Sequence, residues 1–207
     1  MANGQHVTTK RCPMALPFLL AAALPACAFA PPLYWAQAIH ARVVDADTGE
    51  PIEGAVVVAD WKLYGGGIGH GGHRDSLLVE ETVTDVNGEF TFGKWGPKLR
   101  PAYAALDTAP WLVIFKSGYQ HRFLSNEFDG NGFVRRSDWN GRNVELRRFL
   151  GTPEQRVDGL RSVLSLSELQ PRMLDEILKE SRSYHHIAPA FFDHLDDLAT
   201  RRQEVRQ

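Results

Sequence analysis

The chain has 207 residues, of which 43% are hydrophobic, 10% aromatic and 23% charged. That length holds one globular domain with appendages, and the ordinary apolar and charged fractions exclude global disorder, a collagen-like chain and a coiled coil. Lys and Arg number 23 against 25 acids, a formal charge of -2, so there is no excess positive charge for a phosphate backbone and nucleic acid is not an expected partner.

In chain order, Lys10 and Arg11 form a short positive region, and Met14 to Ile39 then contains no charged residue. Its most apolar part is Ala15–Ala26 (ALPFLLAAALPA). A positive start followed by an apolar run of this length is the pattern of a secretory signal, and residues 1–26 are assigned to it. Prolines at 13, 17, 25, 31 and 32 argue against a membrane-spanning helix, because each interior proline removes a helix hydrogen bond. Two cleavage readings stand. Ala28-Phe29-Ala30 offers a small-x-small site followed by Pro31, whereas Leu24-Pro25-Ala26-Cys27 resembles a bacterial lipobox, in which Cys27 is lipidated and becomes the first mature residue. The second reading expects an exported protein held on the periplasmic face of a membrane through Cys27. Removing residues 1–26 takes away Lys10 and Arg11 and no acid, so 21 bases face 25 acids and the mature charge is -4.

From Ile39 the pattern has period two: Ile39, Ala41 and Val43 alternate with His40, Arg42 and Val44, as in a half-buried strand. The turn formers Asp45–Pro51 end it, and Ile52–Ala59 is the next strand, rich in β-branched residues. Val79–Thr84 leads to Asp85-Val86-Asn87-Gly88, where the Asn-Gly pair marks a hairpin, and Glu89–Phe92 returns with Phe90 and Phe92 on one face. Trp111–Phe115 is the most apolar strand and is placed at the centre of the core. Asn143–Leu146 is the last strand. Short strands divided by turn signals predict a mainly β chain, an antiparallel sandwich.

Three strings in this region carry a resemblance. Ala41–Val57 (ARVVDADTGEPIEGAVV) is similar to the opening of a carboxypeptidase regulatory-like domain, Thr84–Phe92 (TDVNGEFTF) to its second hallmark, and Leu112–Tyr119 (LVIFKSGY) to its third. The resemblance covers residues 38–147 and implies a transthyretin-like sandwich of about seven strands, whose motifs are structural, with no catalytic residue among them. Residues 62–78 and 93–110 are insertions relative to the simplest pattern of that family.

The chemistry that the chain lacks is as informative. A zinc carboxypeptidase needs His-x-x-Glu and a later His, and no His here has Glu three residues after it. Intradiol dioxygenases of a similar sandwich hold iron with His-x-His and two Tyr, and no His-x-His occurs. Gly-x-Ser-x-Gly and Gly-Lys-Ser/Thr are also missing, so the expectation is a protein that is not an enzyme and carries no cofactor. The alternative is a metal site in the Gly/His-rich loop 64–75, where His70 and His73 lie three residues apart with Asp75 nearby; two imidazoles of this kind suit Zn²⁺, Cu²⁺ or Ni²⁺. Otherwise that segment is a mobile hairpin loop. Trp61, Tyr64, Trp95, Tyr103, Tyr119, Phe128, Phe133 and Trp139 are read as loop aromatics, available for packing or for stacking on sugars. Arg135, Arg136, Arg142, Arg147 and Arg148 are expected to pair with Glu127, Asp129 and Asp138.

Beyond Leu150 the period is helical. Thr152 is the expected N-cap, with Pro153 at the first helical position and Val157, Leu160, Val163 and Leu164 on one face. A second helix is predicted from Ser167, carrying Leu169, Met173, Leu174, Ile177 and Leu178, and a third after Pro189 with Phe191, Phe192, Leu195 and Leu198. This extension, residues 151–203, is too small for its own core and is expected to pack on the sandwich. The functional expectation is a non-catalytic binding or scaffold module of the cell envelope, its partner an envelope protein or a glycan and its membrane contact a lipid anchor. A carbohydrate-binding module is a further alternative.

Overall fold

The computed structural model describes residue 1 and residues 33–65, 72–99, 101, 104–106, 110–127, 134–166 and 170–204. The described residues form strands β1 (Leu33–Ala36), β2 (Ile39–Asp45), β3 (Val56–Gly65), β4 (Gly72–Val83), β5 (Glu89–Phe92), β6 (Trp95–Leu99), β7 (Ala104–Leu106), β8 (Trp111–Phe115), β9 (Arg122–Leu124), β10 (Val134–Arg135) and β11 (Asn143–Leu146). Helices α1 (Pro153–Leu166), α2 (Pro171–Leu178), α3 (Ser181–Tyr184) and α4 (Pro189–Glu204) follow.

The architecture is a β-sandwich with a helical layer on one side. One sheet runs β11-β2-β5 and the other β4-β3-β8-β9, with β7 added to the far end of β3. Ile39, Ala41 and Val43 from β2, Phe90 and Phe92 from β5, and Val144 and Leu146 from β11 face Val57, Ala59, Trp61 and Leu63 from β3 and Leu112 and Ile114 from β8. The opposite faces of β3 and β8 carry Val56, Val58, Val113 and Phe115, which pack against Val157, Leu160 and Val163 of α1, Met173, Leu174 and Ile177 of α2, and Phe192 and Leu195 of α4. β3 from Val56 to Ala59 and β8 are therefore covered on both faces, which is why these stretches are continuous apolar runs rather than alternating ones. The expectation that Trp111–Phe115 lies at the centre holds from Leu112 to Phe115, all fully buried; Trp111 itself is half-buried and meets Phe123 edge to face at 5.2 Å.

The strand count among the described residues exceeds the expected seven because the second insertion adds β6 and β7 and because β1, β9 and β10 form outside both insertions, while the first insertion lengthens β3 and β4. β3 and β4 pair out to Gly65 and Gly72 across two register shifts, and β7 lines the other side of β3 from Leu63 to Gly65. Tyr64, Gly65, Gly72, His73 and Asp75 thus have strand backbone where a loop was expected; the neighbouring β7 supplies ladder partners that the local glycine content does not reveal. The second insertion yields β6, which joins β1 and β10 in a third sheet. Its inner side chains, Tyr34, Ala36 and Trp95, close one end of the core, Trp95 standing edge to face on Trp61 at 5.4 Å. Among the described residues two pairings are parallel, β11 with β2 and β1 with β10.

The helices begin where proline permits. Thr152 Oγ1 accepts the Gln155 N–H at 3.3 Å and Gln155 Oε1 accepts the Thr152 N–H at 2.9 Å, a reciprocal capping box. α2 starts at Pro171 and has no side-chain cap of its own; Ser167 and Leu169 lie outside the described residues. The Glu81 carboxylate of β4 takes over that role, accepting the N–H groups of Arg172 and Met173 at 3.0 to 3.3 Å, where the positive end of the helix favours an anion.

Candidate recognition groove

The outer face of the β11-β2-β5 sheet is polar by strict alternation: with Ala41 and Phe90 turned inward, His40, Arg42, Glu89, Thr91 and Asn143 turn out. Together with Gly141 and Arg142 they line a groove of about 390 Å³. A second hollow of about 350 Å³ lies beside it, lined by Ser125, Asn126, Glu127, Asp138 and Trp139, and shares Arg142.

The segment that divides these hollows, Ser137–Arg142, is held by its own backbone and by Asn126. Asn126 Oδ1 accepts from the Asp138 N–H at 2.7 Å and the Ser137 hydroxyl at 3.1 Å, while Nδ2 donates to the Pro110 carbonyl at 2.6 Å. The Asp138 carboxylate accepts the Glu127 N–H at 2.7 Å. Gly141, at φ 76°, allows the chain to turn so that its N–H reaches the His40 carbonyl at 2.6 Å. The Trp139 indole N–H donates to the Ser125 carbonyl at 2.9 Å, which fixes the ring, and the Arg142 guanidinium lies over it at 5.9 Å from the centroid. Across the groove His40 Nδ1 is 2.9 Å from the Thr91 hydroxyl, and Arg42 Nε donates to the Asn87 carbonyl at 2.6 Å.

The groove presents two arginines, an imidazole, a hydroxyl and an amide against one carboxylate, Glu89, and the hollow beside it holds the fixed indole, with Arg142 over it, and two carboxylates, Glu127 and Asp138. The groove's own lining favours an anionic, hydrogen-bonding ligand, and the acids of the neighbouring hollow confine that preference to the groove. The His40–Thr91 pair has two ingredients of a base and nucleophile. His40 Nε2 makes no hydrogen bond to a described residue.

Other sequence-picked residues fall elsewhere. His70 lies outside the described residues, as do Cys27, Tyr103, Phe128, Asp129 and Phe133; His73 is placed by its backbone in β4, opposite Tyr64. Among the described residues no group of three or more His, Cys, Asp and Glu side chains is arranged as a metal site. Trp61 is a core residue, not a loop aromatic, because β3 continues through it. Of the arginines expected to pair with Glu127, Asp129 and Asp138, Arg148 instead pairs with Asp45 at 3.2 Å; Arg135 is buried over the Tyr34 ring and donates to the Leu106 carbonyl, and the Asp138 carboxylate accepts the Glu127 N–H. His185 meets Asp193 at 2.9 Å and stacks on Phe192. The groove itself was not picked out in the sequence; the polar half of the alternation around His40 and Arg42 was the available signal.

No family model and no curated protein matches the chain. Among solved structures, wild-type catechol 1,2 dioxygenase from Acinetobacter radioresistens overlaps 56% of this chain and 53% of its own at 17% identity and a TM-score of 0.32. A streptococcal ancillary pilin overlaps 57% of this chain and 31% of its own at 12% identity and a TM-score of 0.26. The chain thus spans about half the length of the dioxygenase. Overlaps this shallow assign no activity.

Proposed function

We propose that the chain is a non-catalytic recognition module of the bacterial cell envelope, a member of the carboxypeptidase regulatory-like family with a transthyretin-like sandwich, exported and held at a membrane through a lipidated Cys27. Its ligand is a carboxylate-bearing sugar of an envelope glycan, bound in the groove above β2, β5 and β11. Arg142, held over Trp139 beside Arg42 and Asn143, carries this reading: the two guanidiniums offer planar donors to a carboxylate, and His40, Thr91 and Asn143 offer hydrogen-bonding groups to sugar hydroxyls.

Family membership draws support from where the three hallmark strings fall. Each contributes a turn held by its own hydrogen bonds. Asp45 Oδ1 accepts the Asp47 N–H, Asp85 Oδ1 accepts the Asn87 and Glu89 N–H groups, and the Tyr119 N–H reaches the Lys116 carbonyl. These are structural roles, in keeping with a module that binds rather than catalyses.

Isothermal titration with soluble peptidoglycan fragments tests the ligand. The expected result is saturable binding that Arg142→Ala weakens by roughly tenfold, the scale of one stacked, charge-assisted contact, while Arg201→Ala on α4 leaves it unchanged. Absence of binding, or equal binding by Arg142→Ala, rejects the groove as the site.

A further inference from the structure

The third sheet, β10-β1-β6, turns an apolar face outward. Alternation along β1 sends Tyr34 and Ala36 into the core and leaves Leu33 and Trp35 on the other side. Leu33 pairs directly with Leu99 of β6, and Trp35 pairs with Val134 of β10. Leu33, Leu99 and Val134 are 37%, 69% and 39% exposed, so three of the chain's exposed large apolar side chains meet on this one small sheet. The half-buried Trp35 ring lies against Gly96, where an added Cβ would come within 2.5 Å of it; the glycine is what lets the indole lie along the sheet. Arg136, exposed, follows this face directly in sequence.

Position decides what covers this face. Leu33 is six residues after Cys27, and six residues span at most about 20 Å. A chain tethered to a bilayer by lipid on Cys27 cannot carry β1 farther from the surface than that. An aliphatic cluster flanked by a tryptophan and an arginine is also the composition that a membrane interface accommodates: aliphatic side chains enter the acyl boundary, the indole sits at headgroup level and the guanidinium meets anionic lipid. We infer that the outer face of β10-β1-β6, formed by Leu33, Trp35, Leu99 and Val134, rests on the lipid bilayer and sets the orientation of the domain at the membrane. The inference rests on the proposed anchoring at Cys27.

The test uses the mature protein purified from host membranes, with its intact mass recorded, reconstituted in phosphatidylethanolamine/phosphatidylglycerol vesicles whose acyl chains are brominated. Bromine in the acyl region quenches tryptophans that reach it. The expected result is quenching in the wild-type chain that is largely lost in Trp35→Phe and reduced in Leu99→Glu, and that is retained in Trp139→Phe. Because Leu99 is a surface residue, the second variant guards against a folding defect in the first. A chain whose mass includes diacylglycerol but whose quenching is absent, or is the same in Trp35→Phe, keeps the anchor and overturns the inferred face. A chain without lipid on Cys27 overturns the anchoring instead, and Trp35 quenching by the same vesicles then decides the face by itself: present, it stands; absent, it falls.

Discussion

Glu180 Oε1 accepts the backbone N–H of Gly118 at 2.9 Å, joining the segment after α2 to the Gly-Tyr turn that follows β8. The same carboxylate is paired with Arg156 of α1 through both oxygens, and Arg156 also donates to the Tyr119 carbonyl at 2.5 Å. The guanidinium lies between Phe115 and Phe149, 5.3 and 5.0 Å from their centroids. One residue earlier in the turn, the Ser117 N–H reaches Glu176 of α2 at 3.0 Å. Two buried glutamates from the extension thus satisfy successive backbone donors of the sandwich, so the extension completes the fold rather than decorating it.

Glu180→Ala is therefore expected to be among the most destabilising substitutions outside the hydrophobic core. It leaves a buried guanidinium and a buried N–H without their acceptor, a loss of about 3–5 kcal/mol. Replacing the pair together, as Arg156→Met with Glu180→Leu, recovers part of this but not all, because the Gly118 N–H stays unsatisfied. Urea unfolding of the three proteins checks it; a double variant as stable as the wild type would show that the Gly118 bond contributes nothing.

Asp45 gives the acid limb of the stability curve. Its carboxyl is held below its ordinary value of 3.8, chiefly by the Asp47 N–H, then by the Tyr119 hydroxyl, the Thr48 N–H and Arg148, with its burial acting the other way. A depressed acid contributes stability that is present above its unfolded value and is lost as pH falls through the folded one. The stability difference between wild type and Asp45→Asn should stay constant from neutral pH to about pH 4 and shrink below it. Tyr119 is raised from 10.0, first by burial and then by the Asp45 carboxylate, so its contribution is complete below pH 10 and is lost as pH rises through its folded value. Unfolding free energies across this range decide the matter, and a difference that stays flat down to pH 2 would contradict it.

At Gly88 the hairpin turn fixes both conformation and space. Its φ is 74°, and a Cβ there would stand 2.4 Å from the Val43 carbonyl oxygen. Gly49 has the same φ of 74° with nothing within 4 Å. Gly49→Ala should cost about 1 kcal/mol, the left-handed penalty alone, and Gly88→Ala clearly more, since the backbone of β2 must also move. Equal losses in thermal or urea unfolding would show that the close approach is relieved at no cost.

Much of this fold is legible in the sequence because it is local. Alternation marks β2, β5 and β11, the Asn87-Gly88 pair marks the hairpin, and Pro153 and Pro189 open helices where they stand. The elements that escape are those whose partners are distant. β11 joins β2 in parallel across about a hundred residues, and β3 and β7 pair around glycines that by themselves indicate a loop. Arg156 and Glu180 read as surface charges until the helices fold over Phe115. The groove follows the same rule: His40 and Arg42 are visible as the outward half of a strand, but Arg142 and Trp139 arrive only because Asn126 ties the segment after β10 beside them.

The most direct test of the recognition groove is to follow the backbone amide and tryptophan indole resonances of ¹⁵N-labelled protein while a muramic-acid-containing glycan fragment is added. The account predicts shifts confined to His40, Arg42, Thr91, Arg142 and Asn143 and to the Trp139 indole N–H. Shifts centred on any other surface, or none at millimolar fragment, would contradict it.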